Sequence, residues 1–133
     1  MTIRFHKDGT LPQNGEVFVF GSNLAGIHGA GAAKIAAAKF EMPYGFGNGW
    51  CHPYKAYAIP TKDRNIKTIS LEEIKIYVSN FVRMTNDPFI INNGYFVTRI
   101  GCGLAGYKDE QIAPYFVGAK NCSFAEQWKP YLQ

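Results

Sequence analysis

The sequence predicts an α/β chain, helices packed as a sandwich on a sheet. Three observations point there. EVFVFG, at Glu16–Gly21, is a short and almost continuous apolar run ending in glycine, as expected of a strand covered on both faces. AAKIAAAKF, at Ala32–Phe40, is alanine-rich with Lys34 and Lys39 on its wet side, and alanine costs least in a helix. Two glycine-rich strings, GIHGAG at 26–31 and GCGLAG at 101–106, each stand between a predicted strand and a predicted helix.

In chain order, Glu16–Gly21 leads into a loop, Ser22–Gly31, and then into the Ala32–Phe40 helix. Residues 43–54, PYGFGNGWCHPY, are aromatic, glycine-rich and bounded by proline, which reads as a long loop. Ala56–Pro60 is a short buried strand opening onto Thr61, Lys62 and Asp63. Ser70 with Glu73 three residues later makes a capping box. Leu71, Ile74, Tyr77, Val78, Phe81 and Val82 follow at helical spacing, so a second helix should run to about Thr85. Phe89–Ile91 reads as a short strand and Tyr95–Ile100 as a stronger one. Asp109–Val117 reads as a short helix with Pro114 in its early turns or bending it. The tail through Trp128 should pack back on the body. Ligands of such sheets sit beyond the carboxyl ends of the strands. GSNLAGIHGAG, PTKD and GCGLAGYKD are therefore expected to line one cleft.

Composition narrows the function classes. At 133 residues, the chain is expected to be a single domain, 1–133, and 47% hydrophobic content is ample for one core. No run is apolar enough to cross a bilayer, and MTIRFHKDGTLPQNG lacks the apolar centre of a signal peptide. Cys51, Cys102 and Cys122 are odd in number and lack C-x-x-C spacing, which suits a reducing cytoplasm. Cys51–His52 belong to no metal-spaced set, so neither zinc nor any cofactor is expected. A net charge of +4 suits an anionic ligand. No Lys/Arg block with interleaved aromatics marks a nucleic-acid track, and the expected partner is a small molecule. Oligomeric state is not legible.

Glycine lets the backbone approach a ligand closely, and successive amide N–H groups can then converge on an anion. Plain tight turns are the bland alternative. A Rossmann unit fits poorly: it needs an acidic residue about 20 positions past the glycines, on a following strand. Glu126 has nearly that offset, but residues 107–133 read as too short for a helix and a strand before it.

Three motifs together resemble a macrodomain, the ADP-ribose-binding fold, and most closely its terminal ADP-ribose protein glycohydrolase branch and the compact bacterial and phage macro-like proteins. HGAGAAKIAAAKF (28–40) resembles that branch's Gly-Ala-Gly loop and Lys-rich helix. YAIPTKD (57–63) resembles the strand that delivers a catalytic lysine, and RIGCGLAGYKDEQIAP (99–114) resembles the Ile-Gly-Cys-Gly-Leu loop and the helix after it. The resemblance implies a three-layer α/β/α sandwich with a mixed central sheet. It also implies that the two loops clasp the diphosphate and distal ribose of ADP-ribose. Ser22, Gly29, Ala30, Gly31 and Ala32 would contribute from the first loop; Gly101, Cys102, Gly103, Leu104, Ala105, Gly106 and Tyr107 would contribute from the second. Lys62 matches the lysine that attacks the distal ribose. Only about one in a few thousand ordinary lysines is neutral at pH 7, so burial or a cation such as Lys108 would have to activate it. Alternatively, Lys62 salt-bridges a phosphate. The branch's Gly-Leu-Asp is Gly103–Leu104–Ala105 here, so its assisting acid is missing, and neither Asp63 nor Asp109 matches the motif.

Other side chains have two readings each. Asn23 can hydrogen-bond ribose hydroxyls or close an Asx turn. His28, directly before Gly-Ala-Gly, can act as an acid/base group or pack beneath the loop. Cys102 is read as a small filler, and Tyr107 as a stacking candidate. Tyr44, Phe46, Trp50 and Tyr54 form either a lid over a base or a flap on the core. Two function classes follow. One is an enzyme that hydrolyses an ADP-ribosyl ester or ADP-ribose 1″-phosphate, with Lys62, His28 and Asn23 at the distal end. The other is a non-catalytic module that binds ADP-ribose. A different nucleotide-binding α/β domain is a third reading.

Overall fold

The computed structural model describes residues 3–133. Six strands form one sheet in the order β1-β6-β5-β2-β4-β3. They are β1 (Arg4–His6), β2 (Val17–Asn23), β3 (Gly49–Trp50), β4 (Ala56–Lys62), β5 (Tyr95–Val97) and β6 (Cys122–Ala125). Neighbours run parallel except at the β3 edge, where Gly49–Trp50 pairs antiparallel with β4, so the sheet is mixed. The helices are α1 (Gly31–Lys39), α2 (Leu71–Thr85), α3 (Asp109–Ile112) and α4 (Lys129–Leu132).

Side chains of a strand alternate between faces, and β2 shows what that does here. Val17 and Val19 join the larger core cluster with Tyr57, Ile59, Val97 and Phe124. Phe18 and Phe20 point the other way, into a cluster with Ala33 and Ala36 of α1. Helix α1 buries only those two alanines and so lies close on the sheet. On the opposite face α2 buries Ile74, Val78 and Phe81, spaced by four and three residues along one stripe. Ser70 caps it, accepting a 3.2 Å hydrogen bond from the Glu73 amide. α3 and the C-terminal turns share the α2 face, where Phe116 and Trp128 are fully buried. The result is a three-layer arrangement of helix, mixed sheet and helices.

Several boundaries differ from expectation. β2 continues to Asn23 and β4 to Lys62, because the two pair as far as Asn23↔Lys62. The long loop 43–54 contains edge strand β3. The predicted Asp109–Val117 helix breaks into α3 and a 3-10 turn, Ala113–Phe116, because Pro114 has no amide to continue the α-helix. Phe89–Ile91 is not a strand: no neighbour pairs with it, and Phe89 and Ile91 stand about nine-tenths exposed. Residues 107–133 do hold a short helix and a strand, α3 and β6, which removes the room argument against a Rossmann unit. Glu126 nonetheless lies outside the cleft. Among the described residues no helix is long and apolar enough to cross a membrane.

Candidate functional site

The strands β2 and β5 are neighbours, yet they send the chain to opposite faces: β2 to α1, and β5 to α3, whose Ile112 lies in the α2-side cluster. Such a switch point opens a crevice between the two loops. A cleft of about 640 Å³ lies there, the size of a small-ligand site. Its walls include the end of β2, the loop into α1, Thr61 and Lys62 of β4, and the second glycine loop. Residues 6 and 8–11, after β1, complete it. From β1 to β4 the sheet spans four strand spacings, roughly 19 Å. His6 and Asp8 therefore sit at one end and Lys62 at the other.

The middle is built from backbone. The amides of Gly29 and Ala30, and those of Gly103, Leu104 and Ala105, have no acceptor among the described residues. Helix α1 starts at Gly31 without a side-chain cap, which leaves its first-turn amides free as well. Two sets of N–H donors without acceptors, one backed by a helix N-terminus, belong to the lining of one cleft and suit a diphosphate-like anion. Gly31 has φ +58 and lies opposite Leu104, whose methyl carbon would stand 3.6 Å from a Cβ at Gly31. The two loops thus meet across the crevice.

At the Lys62 end, a register shift between Ser22 and Asn23 sets the geometry. Pro60 lies opposite and has no amide to give the ladder, so the pairing slips and Asn23 lands beside Lys62. Lys62, Arg64 and Lys67 make no ion pair among the described residues. The carboxylate of Asp63 is held by the amides of Asn65 (2.8 Å) and Lys67 (3.0 Å). Asp63 closes its own turn and is not a substitute acid.

The other end is aromatic. His6 stacks on Phe96 with centroids 3.7 Å apart and planes at 15°, and Phe96 continues through Phe18 to Phe40. Nδ1 of His6 meets the Ser123 hydroxyl at 2.7 Å. Burial pushes its pKa down to about 4, against a smaller opposing pull from Asp8, so the ring is neutral at pH 7. Among the described residues lining the cleft, Asp8 is the one carboxylate. Arg99 donates to it at 3.2 Å and grips Asp109 with two bonds of 2.9 and 2.6 Å. Trp128 adds a third donor to Asp109 at 2.7 Å. Arg99 foremost, and then Trp128, hold the Asp109 carboxyl below the usual range, and this acid too is spent on structure. His6, Asp8 and Arg99 were missed from sequence; the Asp-Gly turn signal at 8–9 was the only trace of that wall.

Most of the expected site residues line the cleft: Lys62, Asn23, Ser22, Gly29 to Ala32 and Gly101 to Ala105. Four expectations need correction. His28 is 1% exposed, wedged between Phe20 and Tyr44 with Nε2 donating to the Pro43 carbonyl at 3.0 Å, so it packs beneath the loop and does not face the cleft. Asn23 spends both ends of its amide on Ile27, donating to its carbonyl (2.8 Å) and accepting from its amide (3.0 Å), which is an Asx-type clasp. Tyr107 turns away and donates to the Ile69 carbonyl at 2.5 Å. Gly106 likewise lies outside the lining, its amide closing the turn on Gly103. Cys102 lines the cleft, but burial, aided by Asp109, pushes its thiol up to about 12, which leaves it without thiolate character. The aromatic segment is no lid: Ser22 donates to Gly47, the Gly45 amide bonds Gly26 at 3.0 Å, and neither Tyr44 nor Phe46 lines the cleft. It props the first loop from behind.

No protein-family model and no curated protein sequence matches the chain. Among solved structures, the macrodomain of Thermus aquaticus DarG superposes with a TM-score of 0.68 at 16% sequence identity, over 94% of this chain and 98% of that one. The fold of this chain is therefore that of a macrodomain.

Proposed function

We propose that the protein binds ADP-ribose or a derivative in this cleft and hydrolyses a bond at the distal ribose, in an ADP-ribosyl ester or ADP-ribose 1″-phosphate. The observation that carries the reading is the pair of acceptor-free amide sets on the two loops that line the middle of a cleft with unlike ends. A diphosphate occupies the amides, the flat base lies toward the His6–Phe96 stack, and the distal ribose reaches Lys62. The placement of charge supports that direction: Lys62, Arg64 and Lys67 gather at the far end without ion pairs among the described residues, whereas the lining of the near end carries Asp8, paired with Arg99.

Lys62 has no free carboxylate beside it, since Ala105 carries none and Asp63 is held by its turn. A leaving group that departs as a stable anion needs no proton from the protein. A carboxylate ester or a phosphate fits this site better than a bond to a poor leaving group. The same missing acid favours a second reading, a binding module without turnover.

Calorimetric titration with ADP-ribose, AMP and NAD tests the core of the proposal. ADP-ribose should bind at micromolar affinity and more tightly than AMP. Gly103→Glu, which adds a carboxylate among the donors, should abolish the signal. No heat and no thermal stabilisation by ADP-ribose would overturn the reading. On the two substrates, Lys62→Met should lower turnover by about 100-fold or more. Absence of turnover in the unmodified protein, with binding intact, would select the binding module.

A further inference from the structure

Ile66 stands in the left-handed region at φ +62. A β-branched residue there is a strained outlier, because its Cβ branches crowd the carbonyl. The other non-glycine residues with positive φ are Asn14, Glu41, Tyr54 and Asn121; none is β-branched and none lines the cleft. Burial does not offset the strain, since Ile66 is 41% exposed and belongs to neither core cluster. The turn does not need isoleucine either. It is closed by backbone bonds from Ile66 to Asp63 (3.1 Å) and from Asp63 to Lys67 (2.8 Å), and by the Asp63 carboxylate. Asparagine or glycine would serve that geometry better. Strain without local return points to a contact made only when something is bound.

The surroundings indicate what that contact is. Ile66 lines the cleft at its Lys62 end, and its turn is tied to the second glycine loop by the Thr68 hydroxyl donating to the Ala105 carbonyl at 3.1 Å. Leu104 and Ile27, also in the lining, are 70% and 50% exposed. Lys62, Arg64 and Lys67 on the same turn are unpaired among the described residues. An apolar collar set beside cations suits a polypeptide with acidic and apolar side chains around its point of attachment.

We propose that Ile66 is a specificity-determining contact which, with Leu104 and Ile27, grips the polypeptide bonded to the ligand's distal ribose. This rests on the ADP-ribose reading above. The test uses the full chain in a Lys62→Met background, so that the bond to the carrier persists. Affinity is measured for free ADP-ribose, for an acidic peptide carrying ADP-ribose on glutamate, and for an oligonucleotide carrying it. Ile66→Asn should raise Tm by relieving the strain, and should weaken peptide binding at least about fivefold more than free ADP-ribose binding. Leu104→Ser should show the same discrimination without the rise in Tm. A lower Tm for Ile66→Asn, or equal losses on peptide and free ligand, would overturn the inference and leave the ADP-ribose reading intact. A loss confined to the oligonucleotide would overturn the polypeptide carrier. If the parent protein binds no ADP-ribose, both readings fall together.

Discussion

Of the glycines, Gly47 has the least room for a side chain. A Cβ there would stand 1.7 Å from the Asn23 carbonyl oxygen, on the strand end that presents Lys62's neighbour. Gly47→Ala should therefore cost about 3 kcal/mol or more, whereas Gly103→Ala, with nothing within 4 Å of its Cβ, should cost about 0.5 kcal/mol or less. Urea unfolding of the two variants checks the contrast. His6 supplies a pH dependence. Its folded pKa of about 4 lies below the ordinary histidine value of 6.5, so protonation favours the unfolded chain. The contribution of the neutral ring is complete above about pH 6.5 and is lost as the pH falls from there toward 4. His6→Phe keeps a ring on Phe96 and should flatten the fall of Tm across that window. The lowered Asp109 acts separately, below the ordinary carboxylate range.

At the scale of elements, legibility followed locality. The α2 N-cap, Ser70 accepting from the Glu73 amide, was readable because both partners lie within one turn, although the reciprocal half of the expected capping box, Ser70 amide to Glu73 side chain, does not form. Ser70→Ala should cost about 1 kcal/mol, or roughly 3–5 °C in Tm, measurable by calorimetry. The alanine run of α1, the apolar β2 and the glycine loops were also readable, since each carries its reason in its own residues. β1 and β6 were not. They are three and four residues long, they mix Arg4, His6 and Ser123 with apolar neighbours, and they exist by pairing across the chain, Arg4↔Ser123. Phe89–Ile91 misled for the converse reason: its β-forming residues found no strand to pair with. The candidate site divides the same way. Lys62 and the loops showed in short motifs, whereas the His6–Phe96 stack and the Asp8–Arg99 bridge join segments some ninety residues apart and leave no local trace beyond the Asp8–Gly9 turn signal.

Across the whole molecule, β6 is an interior strand between β1 and β5. Deleting residues 121–133 removes it along with the buried Trp128, and strands β1 and β5 lose their shared partner. That truncated chain should show no cooperative thermal transition by circular dichroism, although it retains both glycine loops and Lys62. The integrity of the cleft thus depends on a segment that does not line it.

The pairing of β1 with β6 also orders events in time. Of the six strands, β1 is synthesised first and β6, the strand it docks on, last. Until residues 122–125 clear the ribosome, β1 and the Asp8 wall have nowhere to rest. A nascent chain therefore carries both phosphate-facing loops before it has a complete pocket. Ligand can stabilise only finished molecules, and the exposed edge of β5 is what a chaperone would meet in the interval.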